Sequence, residues 1–209
     1  MRSKDKIEGD KIEEESLKII RNKLDGFPYP EREVIARAIH ATADFDFANL
    51  LIFKNDPIKK GVKMIREGKD VVTDVNMVRS GINHRSLSKF GGNVKCFIDD
   101  ENVFRLSEKE GITRSSASFR LFKEEIEDTI VVVGIAPTAI FELCDLIEEG
   151  IKPGIIIATA LGFVGAKESK EKILEYDIPS IVVRGHKGGS PVAVAIANSL
   201  IRLAESGWQ

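Results

Sequence analysis

The chain has 209 residues, enough for one substantial core, and its 43% hydrophobic and 31% charged content is that of an ordinary globular protein, which excludes an intrinsically disordered chain. Thirty-one Lys and Arg against 33 Asp and Glu give a formal net charge of -2, which excludes nonspecific nucleic-acid binding through a global basic field. No apolar stretch approaches the roughly 20 residues of a membrane span, and the start MRSKDKIEGDKIEEES is charged where a signal peptide is apolar, so a cytoplasmic protein is expected.

The spacing predicts a first helix over Glu13–Asn22, in which Ser16 precedes Leu17, Ile19 and Ile20; taken alone, Ser16 reads as a surface hydroxyl. Pro28 and Pro30 break the chain before a second helix over Arg32–Ala41. If that helix is regular, Val34, Ile35, Ala38 and Ile39 share one arc and Arg37 and His40, three residues apart, share the opposite side. A histidine there can act as acid and base near neutral pH, or simply stabilise the negative end of the helix dipole. Asp44 and Asp46 follow, but alternate residues need not converge and no further oxygen ligand is obvious, so no metal site is expected. The first seventy residues therefore read as an N-terminal helical layer of one domain spanning residues 1–209, not as a second domain.

Five β-rich apolar runs come next, Val71–Val75, Val94–Ile98, Ile130–Ile135, Ile155–Ala158 and Ile181–Val183, separated by helical spacing over Ala139–Glu149, Ala166–Tyr176 and Val192–Ala204 among others. Such alternation builds right-handed βαβ crossovers, so the fold class is α/β with a parallel sheet of about five strands between helices. In an open parallel sheet the ligand crevice lies beyond the carboxyl ends of the strands. Polar and glycine-containing segments sit just there: Thr73-Asp74-Val75-Asn76, Gly134-Ile135-Ala136-Pro137-Thr138, Leu161-Gly162-Phe163-Val164-Gly165 and Gly185-His186-Lys187-Gly188-Gly189-Ser190.

The last of these joins a strand to a helix with Ser190 expected as its N-cap and Pro191 at its first helical position, a geometry whose amides suit a carboxylate or phosphate. It has neither P-loop nor G-x-G-x-x-G spacing and reads equally well as a tight turn. Arg114, in Thr113-Arg114-Ser115 ahead of a helical segment, either grips a carboxylate bidentately or is a solvated helix-start arginine. Cys96 and Cys144 lie in apolar runs without metal-ligand spacing and are expected to be reduced and buried.

Taken in order, HATADFDFA (His40–Ala48), VTDVNMVRSGI (Val72–Ile82), TRS (Thr113–Ser115), APTA (Ala136–Ala139), GFVGAKESK (Gly162–Lys170) and KGGS (Lys187–Ser190) resemble the precorrin-8X methylmutase family, also called cobalt-precorrin-8 methylmutases. The resemblance runs from about Ser16 to about Leu203. It implies a flavodoxin-like three-layer α/β/α fold, a homodimer with sites near the subunit interface, and no separate cofactor. It also implies an isomerase of cobalamin biosynthesis that moves a methyl group from carbon 11 to carbon 12 of precorrin-8X or cobalt-precorrin-8, a tetrapyrrole. By the same resemblance His40 is the proton donor and acceptor, and Arg37 and Ser16 bind substrate. The substrate is a flat apolar ring edged by carboxylates, so its binding groups are sought among Arg37, Arg79, Arg85, Arg114, Lys187 and the backbone of Gly188, Gly189 and Ser190. Three positions depart from the usual pattern: Ile135 stands where asparagine is common, Ala160-Leu161 where Pro-Val is usual, and His186 where arginine or lysine is frequent. A non-catalytic corrinoid carrier is the alternative reading, and a phosphate- or nucleotide-binding regulator rests on the glycine loops alone.

Overall fold

The computed structural model describes residues 4–208, with side chains from Glu8 onward. The chain begins with helices α1 (Lys4–Arg21), α2 (Glu31–Thr42) and the one-turn α3 (Phe47–Leu50), then strand β1 (Leu51–Lys54), α4 (Pro57–Arg66), β2 (Val71–Thr73), α5 (Asn76–Gly81), α6 (His84–Ser88) and β3 (Val94–Lys95). It continues with α7 (Glu101–Glu110), α8 (Arg114–Leu121), β4 (Ile130–Val133), α9 (Pro137–Glu148), β5 (Ile155–Ala158), α10 (Ala166–Ile173), β6 (Ser180–Val183) and α11 (Ser190–Glu205).

The strands form one six-stranded sheet in the order β1-β6-β5-β4-β2-β3. Strands β2 to β6 are parallel, and in chain order they lie as second, first, third, fourth, fifth, which is the flavodoxin-like arrangement. The expectation of five parallel strands is thus met, with one correction: β1 lies in the segment read as purely helical and pairs antiparallel with β6, Ile52 opposite Val182. Its apolar run is short and ends at Lys54, a charge of the kind that blunts an edge strand, so it gives a weaker signal than the fully buried runs.

Alternation along each strand feeds two cores. Val71, Ile130, Val132, Ile155, Ile157, Ile181 and Val183 face α1, α2, α4 and α11, while Val72, Val131, Val133, Ile156, Ala158 and Val182 face the side covered by α8, α9 and α10. Each such valine or isoleucine withdrawn from water contributes about 1.5–3 kcal/mol, so a strand buried on both faces needs no polar alternation to be specified. The sheet is therefore the middle of three layers. Gly61 lets α4 approach closely, since a methyl group there would lie 2.8 Å from Leu200 Cδ1 of α11.

Candidate active site

Every loop after a parallel strand opens on the same sheet edge, and the order of strands reverses between β2 and β4. At that reversal Asp74, fully buried, leaves the end of β2 and accepts hydrogen bonds from the amides of Gly134 (3.0 Å), Ile135 (2.9 Å) and Ala136 (2.9 Å). Burial pushes its carboxyl group up, while the three amide donors pull against that shift. The amides where flavodoxin-like folds seat an anionic ligand are thus filled by the chain's own carboxylate. This geometry counts against a phosphate- or nucleotide-binding regulator.

The end of α2 reaches the same edge from the antiparallel side, because β1 runs opposite to its neighbour. The helix stops at Ala43, which takes a left-handed conformation (φ 54°) and returns its amide to the carbonyl of Ile39. Thr42 caps inward onto the carbonyl of Ala38 at 2.9 Å, and the Asp44 carboxylate accepts the Asp46 amide at 2.9 Å, which folds the next residues into a tight turn. His40 is exposed, and among the described residues its imidazole has no hydrogen-bond partner. Val34, Ile35, Ala38 and Ile39 are buried as their spacing predicts, leaving Arg37 and His40 on the other side of the helix.

Asp44 and Asp46 do converge, on a lysine. Lys187 Nζ lies 2.5 Å from Asp44 Oδ2 and 2.7 Å from Asp46 Oδ2, tying the glycine loop after β6 to the turn after α2. The hydrogen bond to Asp44, then that to Asp46, raises the Lys187 pKa. Behind the loop, Gly189 donates to the Thr159 carbonyl at 2.7 Å, and at Gly188 (φ 149°) a methyl group would lie 1.9 Å from that same carbonyl oxygen. Only glycine fits there. Lys170, from α10, reaches under the loop and donates to the carbonyl of Lys187 at 2.9 Å. The expected N-cap is corrected: Gly189 takes that position, and Ser190 begins α11 with its hydroxyl buried and without a hydrogen-bond partner among the described residues.

Arg37 turns toward the groove between helices. Its Nη1 donates to Glu13 Oε1 on α1, and Ser16 lies half-buried one turn further along that helix. Arg37 also lines a cavity of about 190 Å3 with Tyr29, Ser199 and Arg202. Arg114 belongs to the opposite layer, at the start of α8; Thr113, its cap, bonds Thr138 at 2.7 Å, and the Arg114 guanidinium lies 4.8 Å from the Phe104 ring centre. Arg79 and Arg85 meet at a separate polar cavity with His84. The apolar component of the edge is the loop after β5: Phe163 (88% exposed) and Val164 (89%) project outward, and the Phe163 ring stacks on His186 at 5.5 Å.

Cys144 is buried and its thiol is pushed up to about 12 by burial; Cys96 is only half-buried, a correction to its expected place, and burial raises its thiol as well. Neither is a ready thiolate. No helix among the described residues is long and apolar enough to cross a membrane, and among them no group of three or more His, Cys, Asp or Glu is placed to hold a metal ion.

The model of the family described as precorrin-8X methylmutase matches residues 11–203. The cobalt-precorrin-8 methylmutase of Methanocaldococcus jannaschii is 45% identical, covering 95% of this chain and 96% of its own length. That of Priestia megaterium is 39% identical, covering 96% and 91%. Among solved structures, the precorrin-8X methyl mutase of Thermus thermophilus superposes with a TM-score of 0.86 at 34% identity, covering 94% of this chain and 98% of that one.

Proposed function

Because the chain belongs to the precorrin-8X methylmutase family, we propose that it is the isomerase of cobalamin biosynthesis that moves a methyl group from carbon 11 to carbon 12 of cobalt-precorrin-8 or precorrin-8X, with His40 as proton donor and acceptor. The observation that carries the role of His40 is its position: an exposed imidazole at the end of α2, on the edge where the ligand crevice of this topology opens.

The chemistry suits one such group. Imidazolium protonates the conjugated macrocycle, which draws electron density from the carbon bearing the migrating methyl group and lowers the barrier to its shift onto the neighbouring carbon. The neutral imidazole then takes the proton back, so none is consumed. General acid catalysis contributes about 10²- to 10⁴-fold, and holding the ring in a reactive shape supplies the rest. Phe163, Val164 and Leu161 offer the apolar surface for a flat ring, and Ser16, Arg37, Arg114, Lys187 and the backbone of Gly188, Gly189 and Ser190 its polar contacts. Lys187 serves this role by exchanging Asp44 and Asp46 for a substrate carboxylate. The protein works in the cytoplasm as a homodimer, a state supported by the exposed Ile12 and Ile19 on α1.

Both sequence relatives described above are named for the cobalt substrate, so cobalt-precorrin-8 is the form to test first. Purified protein is mixed anaerobically with cobalt-precorrin-8 and, separately, with the metal-free ring, and absorption and product are followed. Conversion to the rearranged corrinoid is expected. Binding without conversion supports the carrier reading instead, and no spectral response to either ring overturns both.

A further inference from the structure

Two arginines from different helices converge on one carboxylate. Arg37 of α2 donates to Glu13 Oε1, and Arg202 Nη2 of α11 lies 3.6 Å from the same oxygen. Both guanidinium groups line the cavity of about 190 Å3 between α2 and α11. The carboxylate that lines that cavity, Glu33, is engaged elsewhere, with Arg21 at 2.9–3.1 Å. Among the described residues, Arg37 and Arg202 have no ion-pair partner besides Glu13.

The three groups differ in how freely they move. The Arg37 side chain is 19% exposed, that of Glu13 39% and that of Arg202 57%, so the guanidinium of Arg37 is fixed in the groove while Glu13 can swing into water at small cost. The hydrogen bond from Arg37 holds the Glu13 carboxyl below its ordinary range, with the charges of Arg202 and His40 adding to it, so Glu13 sits within electrostatic reach of both arginines and of His40.

We propose that Arg37 and Arg202 form a seat for one peripheral carboxylate of an anionic tetrapyrrole, and that Glu13 fills this seat as an internal stand-in until the ligand displaces it. The proposal rests on the methylmutase reading and adds Arg202 and Glu13 to its binding groups. Its signature is a pair of opposite effects. Loss of Arg202 removes a charge-assisted donor and weakens binding, whereas loss of the Glu13 charge removes a competitor and raises the fraction of protein with the seat open.

The test titrates the full chain, by absorption, with a corrin bearing free carboxylates and with the same corrin amidated at those positions. For the free acid, Arg202→Gln is expected to weaken binding about 10-fold and Glu13→Gln to tighten it several-fold, roughly what one charge-assisted contact and one competitor are worth. Arg202→Lys, which keeps the charge and loses the fork, should fall between. The amidated corrin should respond to none of these changes. Free-acid binding that ignores both substitutions overturns the seat, as does an equal change for both corrins. A chain that converts cobalt-precorrin-8 with such indifference loses only the seat, whereas one that binds neither corrin fails at the methylmutase reading itself.

Discussion

Lys170 places an ammonium group, 1% exposed, beneath the glycine loop with one carbonyl acceptor and, among the described residues, no carboxylate partner. Burial lowers its pKa from 10.5 to about 8. Between those values the unfolded chain binds more protons than the folded one, so this residue makes stability rise with pH across that window, while below about pH 8 its full cost is present. The cost is on the order of 3 kcal/mol. Urea unfolding at pH 7 and pH 10 should show wild type gaining on Lys170→Met as pH rises; a constant difference between the two would contradict it. Neither Lys170 nor Asp74 announces such a role in the sequence. Lys170 closes a run of ordinary solvent-type residues, and Asp74 finds its amide partners sixty residues away, a separation that local spacing cannot report. Helical periodicity puts His40 and Arg37 on the side of α2 opposite its buried arc, but their roles come only from the family resemblance, and the partners of Arg37 and Lys187, which come from other elements, are not legible in the sequence at all.

At the scale of elements, the runs that were apolar on both faces came through as strands, and their ends were overestimated for one reason. Asp74 and Val75, Cys96 to Ile98, and Gly134 and Ile135 are apolar or small enough to extend a strand pattern, but they peel away from the ladder to build the loops of the ligand edge. Strand β1 was missed because a short run next to a charged residue competes poorly with the helical segments around it. In the sequence the loop from β6 to α11 reads as either an anion-binding loop or a tight turn, and the structure makes the demand on its glycines specific. Gly188→Ala must both hold a conformation that side chains disfavour and move its methyl group off the Thr159 carbonyl. A loss of about 2–4 kcal/mol in chemical unfolding is expected. A change below about 1 kcal/mol would mean that the loop relaxes and that its close packing on β5 is dispensable.

For the molecule as a whole, a near-neutral net charge leaves an anionic substrate to be held by local placement: Arg37 and Arg202 line one cavity, whereas Arg79 and Arg85 line another and Arg114 lies by Phe104. The parallel-sheet order brings the loops after β4, β5 and β6 to one edge, and the antiparallel β1 brings the end of α2 to the same edge with His40 on it. The proposed homodimer would cover the exposed Ile12 and Ile19 of α1. Sedimentation equilibrium at low concentration should return the mass of two chains, and a stable monomer of 23.1 kDa would refute the homodimer. The most direct test of the central claim compares His40→Ala with wild type on cobalt-precorrin-8 in single turnovers. Binding should hold within a few-fold while the rate of rearrangement falls about 10²- to 10⁴-fold, because the residue acts on the transition state; an unchanged rate would show that the proton travels through another group.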